Sequence, residues 1–131
     1  MSDRLNDFLA LPNVQDITEE VFLNKRLGKF VIKPMGVRQH KSYQNRCRGK
    51  ANRDGVSFDS TKFNMLIVTN QVVSPDFSKA DFLTKAGFNT AEDFIEAKLL
   101  PGEVAELASK ICEISGFNLD INEDIDNAKN S

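Results

Sequence analysis

The stretch that most limits what this chain can fold into is Phe58 to Val73, FDSTKFNMLIVTNQVV. Phe63, Leu66, Ile67 and Val73 recur at helical spacing, and Met65, Val68 and Val72 widen the face. Only Asn64, Thr69, Asn70 and Gln71 are polar beyond the first turn. A helix apolar around so much of its circumference must be covered on most sides, which makes it the central core helix. Asp59 is placed to cap it, and Phe58 just before the cap is placed to pack on Phe63 as a hydrophobic staple. Ser74-Pro75 should end it, because proline disfavours a helical residue before it and has no N–H to donate.

The cover for this helix is written on both sides of it. Upstream, Ile17, Glu19, Val21 and Leu23 alternate with Thr18, Glu20, Phe22 and Asn24, and Lys29-Phe30-Val31-Ile32-Lys33 is again β-rich. The two runs read as an antiparallel hairpin turning near Leu27-Gly28, and since two strands are not stable alone, one face should lie on the helices. Val37 to Ala51 reads as a surface helix with a narrow stripe of Val37, His40, Tyr43, Gln44 and Cys47, and Asn52 to Gly55 as a polar loop. Downstream, Ser78 with Asp81 approximates a capping box, Phe77 and Phe82 a staple, and Gly87 a left-handed C-terminal position. Thr90 with Asp93 repeats the start signal for Ala91 to Lys98. Pro101 sits in a first turn with Glu103 and Glu106 near the positive end of the dipole, and Val104, Leu107, Ala108, Ile111, Ile114 and Ser115 form a stripe up to Gly116. The fold class is therefore α+β, mainly helical: an N-terminal antiparallel β-hairpin packed on a bundle of about five helices.

A chain of 131 residues fits one domain. Residues 16–117 read as that single α+β domain, 1–15 as an N-terminal arm or short helix carrying Leu5, Phe8, Leu9 and Leu11, and 118–131 as an acidic disordered tail. The first residues lack the apolar run of a signal peptide, and no segment approaches the roughly 20 apolar residues of a membrane span. A cytoplasmic protein with no membrane partner is expected.

Net charge is only -2, yet the charges are segregated. Lys25 to Arg53 holds ten basic residues and no acid, whereas Asp76 to Asp126 holds twelve acids against four lysines. Ordinary solvated faces would account for this. The sharper reading is a docking surface for an acidic partner. Nucleic acid is the alternative partner, because the basic stretch also contains Phe30, His40 and Tyr43; the slightly acidic whole and the absence of a helix-turn-helix, zinc or aromatic RNA-binding pattern weigh against it.

Chemistry finds no foothold. His40 is the only histidine, which excludes an imidazole-built metal cluster. On one helix it would stand two turns, roughly 10 Å, from Cys47, too far for a direct hydrogen bond. Cys47 and Cys112 have no cysteine or histidine cluster beside them and read as reduced thiols. Glu92, Asp93 and Glu96 are explained as helix-start acids, and Gly36, Gly49 and Gly55 do not form a phosphate loop. An enzyme is not expected, and neither a cofactor nor a metal.

Two stretches, KFVIKPMGVRQHKSYQNRCRGK and LLPGEVAELASKICEISGF, carry a family pattern. A basic strand ending Ile-Lys-Pro, a helix starting a residue or two later, and a late Leu-Pro-Gly-Glu opening an amphipathic helix that closes in Ser-Gly-Phe resemble the small tail assembly chaperones of Gram-positive phages and prophages. These are encoded beside the tape-measure protein. The resemblance covers about Ile17 to Phe117 and implies a non-enzymatic protein of the host cytoplasm, absent from the mature virion. It would coat the tape-measure protein, keep it soluble and support tail tube polymerisation, with a frameshift-extended form recruiting the tail tube protein. A structural tail component is the other reading in this class. No family binding motif falls on particular positions, so the surfaces are named from the residues themselves. Arg38, Lys41, Arg46 and Arg48 would dock acidic stretches of the client, and Leu5, Phe8 and Leu9 would serve self-association into a homo-oligomer.

Overall fold

A computed structural model describes residues 2–117. In chain order these form α1 (Ser2–Leu9), a 3-10 turn (Val14–Asp16), β1 (Glu19–Asn24), β2 (Gly28–Ile32), α2 (Val37–Cys47), β3 (Arg48–Asn52) and β4 (Gly55–Phe58). They continue as α3 (Ser60–Gln71), β5 (Val72–Ser74), α4 (Ala80–Ala86), α5 (Ala91–Lys98) and α6 (Pro101–Ile114). The class is α+β and mainly helical, as the periodicities require. The expected acidic tail at 118–131 lies outside the described residues.

α3 is the axis of the core. Three successive residues, Leu66, Ile67 and Val68, are buried together with Gln71, which happens only when a helix is covered on several sides. It packs chiefly on α6 and, on another flank, on α2. The start is built as its sequence requires: the Asp59 carboxylate accepts the Lys62 N–H at 3.0 Å, and the Phe58 and Phe63 rings lie 5.3 Å apart. Its end is not. Helix α3 stops at Gln71, before Ser74-Pro75, because Val72–Ser74 turns extended and pairs with β2. Val72 and Val73 are β-branched, and an open strand edge offers them backbone partners that one more helical turn would not.

The expected hairpin is present and is part of a three-stranded antiparallel sheet in the order β1-β2-β5. Val21 pairs with Phe30 and Glu19 with Ile32. Leu23, Phe30 and Ile32 turn inward and are buried, while Phe22 on the opposite face of β1 is exposed. The turn holds Gly28 at a φ of 78°, a left-handed value that side chains resist, and the Asn24 side chain accepts the Leu27 N–H at 2.8 Å.

Two further differences are local. Helix α2 ends at Cys47 rather than Ala51, and the segment expected to be helix end and polar loop forms the β3–β4 hairpin instead. The Asp59 N–H donates to the Cys47 carbonyl at 2.9 Å and closes the base of that hairpin. Val37, counted in the α2 stripe, is 91% exposed; Tyr43 and Cys47 carry the burial. Helix α4 begins at Ala80 without a Ser78 cap. Ser78 donates its N–H and hydroxyl to the Asp76 carboxylate at 3.0 and 2.6 Å, and both Phe77 and Phe82 pack on Phe94 rather than stapling each other. Gly87 (φ 84°) and the Thr90 hydroxyl, accepting the Asp93 N–H at 3.1 Å, do perform their expected capping.

One core is built from β1, β2, β5, α2, α3, α5 and α6, with Ile32, Ile67, Val68, Ile95, Leu107 and Ile111 at its fully buried centre. None of the described α1 side chains is buried.

Candidate protein-binding surfaces

The basic stretch is not one surface. Arg26, at the tip of the β1–β2 hairpin, is spent on structure: its guanidinium donates to both Glu103 oxygens at 2.7 and 3.1 Å and to the Lys98 carbonyl at 2.6 Å. Glu103 also accepts the Asn24 amide at 2.8 Å and the Leu100 N–H at 2.7 Å. Four donors on one buried carboxylate, foremost Arg26, hold its pKa down at about 2. This knot ties the hairpin tip to the first turn of α6. Sequence reasoning assigned Glu103 only to the helix dipole and missed its partners, although an acid at the third position after Leu100 is itself a capping-box signal. Lys29 meets Glu20 across the hairpin at 3.3 Å, with both side chains exposed.

The four residues expected to dock a client, Arg38, Lys41, Arg46 and Arg48, are all exposed, and among the described residues none is ion-paired. Arg38 and Lys41, three apart on α2, share its outward side. Arg46 and Arg48 lie at the other end of the helix, where they line a groove of about 360 Å³ together with Lys62, Asp59 and Ser57. The quartet is thus two pairs, and Lys62 from the start of α3 joins the second. Sequence distance hid that third cation.

The tight packing beneath this surface is structural. The Tyr43 hydroxyl donates to Gln71 at 2.8 Å, and the Gln71 amide donates to the Pro34 carbonyl at 2.8 Å, so a fully buried glutamine is satisfied at both ends. Burial pushes the Cys47 and Cys112 thiols and the Tyr43 phenol upward, which keeps all three protonated and poor nucleophiles at neutral pH. His40 is occupied by aromatic packing, its ring 4.6 Å from Phe117 and 6.0 Å from Phe63. Among the described residues no group of three histidine, cysteine, aspartate or glutamate side chains could hold a metal ion, and no helix is long and apolar enough to cross a membrane.

The three residues expected to self-associate lie together on α1 and are open to solvent: Leu5 is 67%, Phe8 57% and Leu9 82% exposed. Arg4 lies over the Phe8 ring, 5.0 Å from its centre. On the body, an apolar groove of about 350 Å³ runs between α3, α5 and α6, walled by Met65, Ile95, Leu99 and Val104. No periodicity along the chain marks this groove, because its walls come from three separate helices.

The described body thus carries an exposed apolar arm, an open apolar groove and exposed cations that pair with no acid among the described residues. The chain belongs to the family of phage XkdN-like tail assembly chaperones, whose model matches residues 5–129, including the N-terminal arm that the sequence resemblance left out. The fold is similar to the crystal structure of the protein YqbN, with a TM-score of 0.55 over 77% of this chain and 87% of that one. Identity there is 22%, so that likeness speaks for the fold alone. No curated protein matches the chain.

Proposed function

We propose that this tail assembly chaperone binds the tape-measure protein of its phage, keeps it soluble in the host cytoplasm while the tail tube polymerises around it, and does so without catalysis. The reading is carried by the exposed cations Arg38, Lys41, Arg46 and Arg48, none of them ion-paired among the described residues, on a member of a tail assembly family. A long client needs many copies of one modest, reversible contact, since avidity then arises from number rather than from any single interface. Exposed basic side chains suit this, because each pairing with a client carboxylate contributes little and is readily released. A frameshift-extended form recruiting the tail tube protein, and absence from the mature virion, belong to the same proposal.

The test is to reverse all four charges to glutamate and measure co-purification with the tape-measure protein. Loss of the client with unchanged circular dichroism is expected, because none of the four supports the fold. Retention of the client would refute the assignment of this surface. Mass spectrometry of purified particles separates a chaperone, absent from them, from a structural tail component. Nucleic-acid binding through Lys25 to Arg53 would instead appear as retardation of oligonucleotides at low salt, lost steeply as salt is added.

A further inference from the structure

We infer that α1 of one chain seats its apolar face in the α3/α5/α6 groove of a second copy, and that two copies exchange arms reciprocally. This gives the self-association expected of Leu5, Phe8 and Leu9 a partner surface, and it stands independently of what the client is.

Three observations select this occupant. First, the two surfaces want the same thing: α1 presents Leu5, Phe8 and Leu9 to solvent, and the groove presents Met65, Leu99 and Val104. The eight residues of α1 span about 12 Å, shorter than the twelve-residue α3 that forms one groove wall. Second, the charges match. Helical spacing sets Arg4 beside Phe8 at the edge of the apolar face, and Asp7 on the far side of the helix from Leu5. The groove lining contains one charged side chain, Glu96. An arm lying with its leucines inward brings Arg4 to the groove rim, where Glu96 can receive it. Third, within one chain the arm leaves this groove open: the described α1 side chains are all exposed, and Pro12 and the 3-10 turn Val14–Asp16 stand between α1 and β1. Each copy carries one arm and one groove, so a reciprocal pair satisfies both and closes with two-fold symmetry.

The full chain should therefore be dimeric in light scattering at high micromolar concentration. Phe8→Asp should weaken the dimer by about a hundredfold or more, since an aromatic anchor is lost from two contacts at once. Ala105→Arg, an exposed position on the groove wall, should do the same from the other side. Neither touches the core, so circular dichroism should be unchanged. Arg4→Glu should weaken the dimer about tenfold, and adding Glu96→Arg should restore it. For chain identity, Leu9→Cys and Ala105→Cys placed on differently tagged chains should form a mixed disulfide between them. A monomeric wild type, a dimer indifferent to Phe8→Asp, failure of the charge swap to rescue, or cross-linking only when both cysteines lie on one chain would each overturn the inference.

Discussion

Helices α1 and α6 are both amphipathic, yet one lies bare and the other is the second pillar of the core. Leu107, Ala108 and Ile111 of α6 are at most 1% exposed; Leu5, Phe8 and Leu9 of α1 are more than half exposed. The difference is not in the apolar face but in what holds the helix to its neighbours. The first turn of α6 is fixed by Pro101 and by Glu103, which gathers Arg26, Asn24 and the Leu100 N–H. At the other end, the Ser115 hydroxyl accepts the Met35 N–H at 2.9 Å and donates to the Ile111 carbonyl at 2.6 Å. Among the described residues helix α1 has no comparable ties, and it is only 8 residues long, too short to be stable by itself in water. An amphipathic stripe says that a face needs a partner; the polar groups at the helix ends decide which partner it gets.

Breaking the α6 side of this contrast should have the largest effect. Ile111→Ala removes a fully buried side chain of the core and should cost about 2–5 kcal/mol in urea unfolding. Next comes Gln71→Leu, which leaves the buried Tyr43 hydroxyl and Pro34 carbonyl without their partner, at about 1–3 kcal/mol for each orphaned group. Glu103→Gln sharpens the comparison by loosening the polar knot while sparing the stripe. Because the folded-state pKa of Glu103 is depressed to about 2 from its ordinary 4.5, its stabilisation is complete above about pH 4.5 and is lost as pH falls toward 2. The variant should be less stable than wild type at neutral pH and should lose less on acidification over that window, as read from thermal midpoints against pH. The smallest effect belongs to the arm: Leu9→Ala should leave the stability of the monomer within about 0.5 kcal/mol, and removing residues 1–12 should change the oligomer mass but, at concentrations too low for the dimer to form, not the unfolding midpoint of the body.

Much of the body was legible because local chemistry and tertiary packing agreed. The Asp59 cap, the Phe58–Phe63 staple, Gly87, the Thr90 cap and Pro101 all act within a few residues, where sequence spacing and spatial distance are nearly the same. The β3–β4 hairpin escaped notice because Arg48, Gly49, Lys50 and Ala51 are all exposed and carry no apolar alternation; the turn rests on Gly55, whose φ is 105°. In sequence, strand β5 looks like the end of a helix, since three residues hold no periodicity and only the neighbouring edge of β2 draws them out. Of the surfaces, the exposed cations and the apolar arm were visible as residues, but their grouping was not: Lys62 joins Arg46 and Arg48, Arg26 leaves the set, and the groove between α3, α5 and α6 exists only once three helices meet.

The sequence by itself determined which helices form, where α5 and α6 start and stop, and that the charges are segregated along the chain. Those properties depend on side-chain type and short spacing. Tertiary structure alone decided that Val72–Ser74 joins a sheet, that Gln71 is a buried hydrogen-bond hub, that Glu103 anchors a hairpin tip 77 positions away, and that the first helix is left uncovered. Each depends on groups brought together from distant parts of the chain, and a hydrogen bond or an apolar contact is set by distance in space, to which separation along the sequence gives no direct key.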